Sequence, residues 1–506
     1  MSTVKKNIVA NFLGNTWNAL MSLAFIPLYI KFMGVEAYGV VGVYVALQAI
    51  FSLLDMGLST TLSREMARLS ALQDKAQEMR TLLRTLEVVY WGVSLAIGII
   101  IVVFAPLIAH HWVQPGHLTP DTIQQAIMIM GLVMVLQFPF TLYSGGLIGL
   151  QHQVLLNGIT ATMTTLRGAG VVIVLWLISP TVQAFFGWQV FISAMQTFLV
   201  TMFLWRRLPH RNERARFDKG LFRGIWRFAA GVSGITLTSV VLTNMDKIVL
   251  SKFLSLETFG YYTLASAVAI NLLRVVAPFN MAVSPRFVQF LTQDNQEQLK
   301  LLYHRSCQFV SVLVLPAAIV VAFFSEEILL LWTQNPTIAE HTHLVLSILI
   351  VGTALNGLMN MPYSLQIASG WTSLAFYINL GFLIILIPTL IVMVSNFGAV
   401  GAATLWAVLN AGYVLIGIQL MHRRLIPSEK WRWYLEDVSI PFLGALATAG
   451  LVRWFVDGPL SQGAMLVTVI ALSILTLLVS AIMTPQTRLW LFSKITAKSS
   501  YEFRKI

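Results

Sequence analysis

The sequence predicts an all-α integral membrane protein of about fourteen transmembrane helices, two six-helix lobes in parallel repeat with two extra helices at the C-terminal end. Three observations carry that reading. Of 506 residues, 57% are hydrophobic and 11% charged, against roughly 25% charged in a soluble domain. The hydrophobic residues gather into runs near the ~20 residues that cross a bilayer as a helix. The basic residues sort to one side of those runs, as they do in membrane proteins. A soluble enzyme, a disordered chain and a disulfide-stapled secreted domain are excluded by this balance, and the single cysteine, Cys307, has no partner within the chain.

Taken in order, the apolar runs lie at 8–30, 38–63, 85–109, 122–148, 154–178, 183–204, 225–251, 259–283, 305–332, 344–368, 374–395, 400–420, 438–457 and 463–484. The first follows Lys5 and Lys6 but carries asparagines throughout and lacks a compact apolar core, so it reads as a span and not as a cleaved leader. Pro27, Pro139, Pro316, Pro362 and Pro388 fall inside spans and predict bends there. With the N-terminus placed in the cytoplasm, 27 of the 33 Lys and Arg residues fall in cytoplasmic segments or, for Arg227 and Arg305, at the cytoplasmic ends of spans, and only Lys31 and Lys252 fall outside. That asymmetry puts both termini inside. The net charge of +12 then reports loops lying against anionic lipid and not nucleic-acid binding.

The chain repeats at an offset of about 221 residues. Lys31-Phe32-Met33-Gly34-Val35-Glu36-Ala37-Tyr38-Gly39 matches Lys252-Phe253-Leu254-Ser255-Leu256-Glu257-Thr258-Phe259-Gly260, and Arg206-Arg207-Leu208-Pro209 echoes Arg423-Arg424-Leu425-Ile426-Pro427. Two repeats of the same topology predict two lobes related by an axis along the membrane normal, with a substrate site between them. The expected division is an N-lobe at 1–207, a basic cytoplasmic linker at 208–224, a C-lobe at 225–424, and the final two spans with a basic tail at 425–506.

Polar stripes run along several spans. The first carries Asn7, Asn11, Asn15, Asn18 and Ser22, which helical spacing places on one face. The seventh carries Thr236, Ser239, Thr243 and Asp246. The second carries Tyr44, Gln48, Ser52, Asp55, Ser59 and Ser63, and the eighth Thr263, Asn271 and Arg274. A single stripe is explained well enough by polar residues that hold helices together. Stripes at matching repeat positions predict instead the walls of a hydrated cleft formed by spans 1, 2, 7 and 8.

Ionisable residues inside a membrane are costly and mark function by default. Arg274 and Asp55 lie at similar depth in repeat-related spans and are expected to face each other across the cleft. Arg167 lies near the middle of the fifth span. Asp246 and Lys247 sit at the outer end of the seventh, where a local pair explains them equally well. Arg64 and Arg286 mark the cytoplasmic mouth, and a topology signal accounts for both. Glu326-Glu327, His110-His111 and Arg453-Asp457 read as interfacial residues. The histidines show no metal-ligand spacing and no phosphate-binding glycine loop occurs, so neither cofactor nor metal is expected.

The Asn-rich first span, the Lys-x-x-Gly-x-Glu-x-Tyr-Gly turn at 31–39, Leu54-Asp55-Met56-Gly57-Leu58, and Asn244-Met245-Asp246-Lys247-Ile248 followed by Phe259-Gly260-Tyr261-Tyr262 resemble Wzx-type polysaccharide flippases. These belong to the multidrug/oligosaccharidyl-lipid/polysaccharide exporter superfamily, and the resemblance covers spans 1 to 12. It implies a bacterial inner-membrane transporter that moves an undecaprenyl-diphosphate-linked oligosaccharide outward, beside a polymerase and other glycan-assembly proteins. For such a substrate, the stripes and the intramembrane charges place the expected contacts at Arg274, Arg167, Asn15, Asn18, Asn271 and Gln48, and coupling or gating at Asp55, Asp246 and Lys247, driven by H+ or Na+ exchange or by membrane potential. In the lipid II flippase the extra helix pair forms a groove for the lipid tail, and spans 13 and 14 are expected to do the same. Lipid II flippases carry charges in the first span. None occurs here between Lys6 and Lys31, which disfavours lipid II as the substrate. Two rivals are a multidrug or cation antiporter on the same fold, which the arginines disfavour, and a glycan polymerase or ligase, which would need a large exterior loop that this chain lacks.

Overall fold

The computed structural model describes residues 3–489 except 73, 210–213, 457, 459 and 460, with backbone alone for 3–5, 8, 224–236 and 278. Part of the 208–224 linker, the side chains of Thr236 and Arg227, Asp457, and the basic tail beyond 489 therefore lie outside the described residues. The described elements are helices, joined by turns and loops and by an isolated bridge between Gln114 and Ser255. It groups into two compact units, Met1–Thr263 with Asn379–Gly398, and Leu264–Ile378 with Ala399–Ile506.

Eleven stretches among the described residues are long and apolar enough to cross a membrane. Three features separate this figure from the expected fourteen or so, and the first is that the seventh run, 225–251, is not among the eleven, the side chains of 224–236 lying outside the described residues. Thr372–Leu425 counts as one stretch of 54 residues but turns at Gly398, whose φ of 56° and ψ of −135° no helix contains. Thr3–Ala24 is not among the eleven; its asparagines lower the hydropathy.

In the first unit, α1 (Thr3–Ala24) and α2 (Ile26–Met33) are one polar-faced rod broken at Phe25, where Pro27 enters the first turn of α2. Gly34, at φ 86°, turns the chain into α3 (Val35–Ser52), a conformation that favours glycine. A tight turn at Leu53–Asp55 and left-handed Met56 and Gly57 separate α3 from α4 (Leu58–Ser70). Long helices follow: α5 (Ala76–Leu107), α6 (Pro120–Gly149), α7 (Gln153–Leu177), α8 (Val182–Arg207) and α9 (Lys219–Phe253). Their starts are capped by side chains. The Thr119, Thr181 and Asp218 oxygens accept from Thr122, Ala184 and Gly220 backbone N–H groups, satisfying donors that a helix start leaves open. Leu62, Met66, Leu83, Leu86, Leu147 and Leu204 centre a buried core where α4, α5, α6 and α8 meet.

The second unit holds most of α10 (Leu256–Thr292), then α11 (Gln296–Phe323), α12 (Ser325–Thr333), α13 (Pro336–Leu358), α14 (Asn360–Ala368) and the ends of α15 (Thr372–Gly412). After α16 (Ile418–Leu425) and the single turn α17 (Lys430–Arg432), a π-helical segment at Trp433–Ser439 leads into α18 (Ile440–Phe455), which pairs with α19 (Gln462–Met483). Both pack on α11, so the two final spans belong to the body of this unit.

Candidate functional site: a polar interior in the first unit

The repeated motif at 31–39 and 252–260 has a packing reason. Its two copies cross within the first unit. A Cβ on Gly39 would overlap the Leu256 carbonyl oxygen, and one on Gly260 would overlap the Val35 carbonyl oxygen. Each copy thus uses its last glycine to let the other's backbone approach. Glu36 closes the same end, accepting from the Gly116, His117 and Leu118 N–H groups at 2.7, 2.9 and 3.1 Å.

Deeper in the unit, Arg167 of α7 reaches across to α8. Its Nη2 donates to the Gln196 carbonyl oxygen at 2.9 Å and lies 3.5 Å from the Ser193 hydroxyl. Tyr29 and Tyr44 lie within electrostatic range of the guanidinium. The Tyr44 hydroxyl donates to the Gln137 carbonyl oxygen at 2.6 Å, and the Gln48 amide donates to the same oxygen at 3.2 Å. One network of amides, hydroxyls and phenols therefore joins Gln48 to the neighbourhood of Arg167. Among the described residues, no carboxylate lies within ion-pair distance of this guanidinium. An arginine held only by neutral acceptors keeps its charge available to an incoming anion, and its planar fork suits phosphate oxygens.

The asparagine row divides. Asn7 donates to the Gln151 backbone oxygen at 3.2 Å, and Asn11 accepts from Asn157 at 2.6 Å; both tie α1 to the start of α7, as helix-joining polar residues do. Asn15 and Asn18, further along the same face, are half-buried.

Asp55 is held locally. One carboxylate oxygen accepts from the Tyr90 hydroxyl, and the other from Ser59 at 2.9 Å and the Gly57 N–H at 3.2 Å. Asp246 accepts from the Tyr262 hydroxyl at 2.5 Å and lies 3.4 Å from Lys247. Ser239 and Thr238 accept from Asn379 at 2.9 and 3.4 Å. In the second unit, the Asn271 amide donates to the Ala267 carbonyl on its own helix at 2.6 Å, and Arg274 is exposed. Arg286 donates to Gln289 at 3.3 Å and Arg64 of the first unit lies 3.7 Å from Glu65; both arginines are exposed.

Residues 4–291 match the family described as polysaccharide biosynthesis protein, more than half the chain. The chain belongs to that family. Residues 233–392 match the MatE family as well. A putative O-antigen transporter of Shigella flexneri is 21% identical over 407 residues, 80% of this chain and 94% of that protein. Among solved structures, the lipid II flippase MurJ in its inward closed conformation matches at a TM-score of 0.71 and 16% identity, covering 94% of this chain and 97% of that one. An inward-facing MATE-family multidrug transporter of the MOP superfamily matches at 0.65 and 13%, covering 84% and 99%. The family match, the O-antigen transporter relative and the flippase structure together bear out the Wzx-type, exporter-superfamily assignment made on sequence, and with it a transporter over an enzyme. The fold shared with the two structures bears out the all-α membrane architecture.

Sequence reading overlooked three sets of residues. Gln189, Ser193, Gln196 and Thr197 of α8 are buried at 7%, 1%, 7% and 4% exposure, and the spacing argument used for spans 1 and 2 would have found them. Glu87 accepts from the Tyr143 hydroxyl at 2.6 Å and lies 2.7 Å from Arg84. In the second unit His304 bridges two carboxylates, its Nδ1 2.6 Å from Asp437 and its Nε2 3.1 Å from Glu429. Gln308 donates to the other Asp437 oxygen at 2.8 Å.

Proposed function

We propose that the protein flips an undecaprenyl-diphosphate-linked oligosaccharide from the cytoplasmic to the periplasmic leaflet of the bacterial inner membrane by alternating access, with both termini cytoplasmic. The observation that carries this is Arg167, an interior cation held by neutral amides and hydroxyls in a chain of the polysaccharide biosynthesis family. The relative in Shigella is named for O-antigen transport and the structural neighbour for flipping lipid II, and a diphosphate-linked glycan presents the same physical problem. A dianion and several sugars must pass ~30 Å of hydrocarbon. Arg167 takes the diphosphate, with Arg274 as a second contact. Gln48, Asn15, Asn18 and Asn271 replace the water lost by sugar hydroxyls.

Outward movement of a dianion against a negative interior releases roughly 4–5 kcal/mol at 100 mV if no countercharge moves with it. Asp55, with Asp246 and Lys247, supplies the group through which proton or sodium exchange would couple. The test is surface glycan in a strain that depends on this protein. Arg167→Ala should cut export roughly tenfold to a hundredfold at normal protein levels, and Arg274→Ala should lower it as well. Full export by both variants removes them from the substrate path, and full export by Asp55→Asn removes Asp55 from coupling.

A further inference from the structure

The end of the first unit that holds the crossing motifs also holds a pocket with no role in the polar interior. It is a slot of about 370 Å3. Val43, Leu47 and Ile50 of α3 form one wall, and Ile101 and Phe104 of α5 the other, with Ile248 of α9 between. On each wall the lining positions recur at three- and four-residue spacing, so each helix gives the slot a single apolar stripe. Ile50 and Phe104 are exposed, so the slot opens outward.

Its end is different in kind. After Pro106, α5 widens into a π-helical turn at Ile108–Trp112, which rotates the following residue by roughly 100° relative to an unbroken α-helix. Such turns mark functional positions more often than chance. This one swings Trp112 into the end of the slot, where its indole N–H donates to Ser251 at 3.0 Å. The Lys252 ammonium sits 5.1 Å from the centre of the same ring, on the solvent side. An apolar trough thus runs up to an aromatic platform with a fixed cation beyond it.

We infer that this slot seats the chain of a polyprenyl phosphate, with the isoprenoid between α3 and α5 and the phosphate on Lys252. The inference rests on the flippase reading for the kind of lipid, and on the slot itself for the site. At the ~30 Å3 that a water-sized group takes up in a liquid, 370 Å3 holds about a dozen heavy atoms. That is two to three isoprene units of one chain. Charge supports the same occupant, because a phosphate ester meets Lys252 where a neutral lipid offers it nothing. The slot lies in the first unit, whereas the lipid-tail groove expected from the family resemblance belongs to spans 13 and 14.

The full chain in phosphatidylcholine nanodiscs, labelled with a diazirine-bearing polyprenyl phosphate, tests this. Label should appear on α3 and α5 peptides, be competed by undecaprenyl phosphate, and resist an equal amount of phosphatidylglycerol. Lys252→Ala should weaken competition about fivefold, the worth of one surface cation near phosphate. Ile50→Trp, which fills an exposed part of the slot, should remove the label from α3. Equal competition by phosphatidylglycerol, or labelling untouched by both substitutions, would mean annular lipid alone and overturn the inference. Surface glycan is measured in parallel. Export intact with no specific label refutes the slot and spares the flippase reading, whereas specific label in a chain that exports no glycan refutes only the flippase reading.

Discussion

In the first unit the Arg167 guanidinium is held by neutral partners; in the second unit the cluster around Glu429 is held by opposite charges. Arg167 lies among Gln196, Ser193, Tyr29 and Tyr44. In the second unit His304 and Asp437, both fully buried, form a 2.6 Å contact, and Glu429 draws in His304, Lys300 and Arg432 at 3.1, 3.0 and 3.8 Å. Lys300 and Arg432 both face Glu429, so opposite charges meet within this cluster. The difference separates two uses of a charge inside a membrane protein. A compensated cluster fastens helices, here α11 to the segment that opens the thirteenth predicted span. An uncompensated cation lowers the free energy of whatever anion enters. Substitutions in the two places should therefore fail differently.

The largest effect is expected at Asp437. Asp437→Ala leaves His304 and Gln308 facing an empty buried site, and removing one member of a buried pair typically costs about 3–5 kcal/mol. The detergent-solubilised protein should melt well below wild type. Asp437→Asn keeps the shape and the Gln308 bond and should fall between. Wild-type melting for Asp437→Ala would erase the contrast between the units.

Arg167→Ala comes next, and its loss should be in transport. Hydrogen bonds to charged groups are worth about 1.5–3 kcal/mol, so export should drop roughly tenfold to a hundredfold with little change in melting temperature. Arg167→Lys should rescue only part, because an ammonium cannot present the same fork to phosphate. A melting loss as large as that of Asp437→Ala would recast Arg167 as a second fastener.

These two sites also show what a sequence discloses. The spans, the motif pair at 31–39 and 252–260, and the interior depth of Arg167 follow from hydropathy, self-similarity and counting, all of which are local in the chain. Periodicity places the asparagines on one face of α1 but cannot name the neighbour, and α7 claims Asn7 and Asn11. Asp55 takes a hydroxyl from Tyr90, 35 residues on, and His304 finds partners 125 and 133 residues away. No spacing rule reaches that far. The π-helical turn that aims Trp112 leaves no periodic trace either, since it is a single extra residue in an otherwise regular helix.

The glycine crossing sharpens the comparison from the packing side. Gly39→Ala must push apart backbone that touches at Leu256, and overpacking of this kind costs about 1–3 kcal/mol. At Gly92 of α5 a Cβ would meet open space, with nothing within 4 Å, so Gly92→Ala should be neutral or raise stability by up to ~1 kcal/mol through helix propensity. Thermal melting of the pair separates a glycine needed for contact from one that is merely present. Equal shifts would remove the packing reason for the repeat.

The smallest effect is expected at Arg64 and Arg286, which test whether the neutral surroundings of Arg167 matter or whether any arginine would serve. Arg64 has 58% of its side chain exposed and stands 3.7 Å from Glu65, while Arg286 bonds Gln289 on the next turn. Water already solvates both, so neither gains strength from a low-dielectric setting. Arg64→Ala and Arg286→Ala should shift stability by less than about 0.5 kcal/mol and leave surface glycan near wild type. An export loss at either that matched Arg167→Ala would mean that the transported anion responds to cationic charge wherever it lies, and the distinction between a held and an available guanidinium would no longer explain transport.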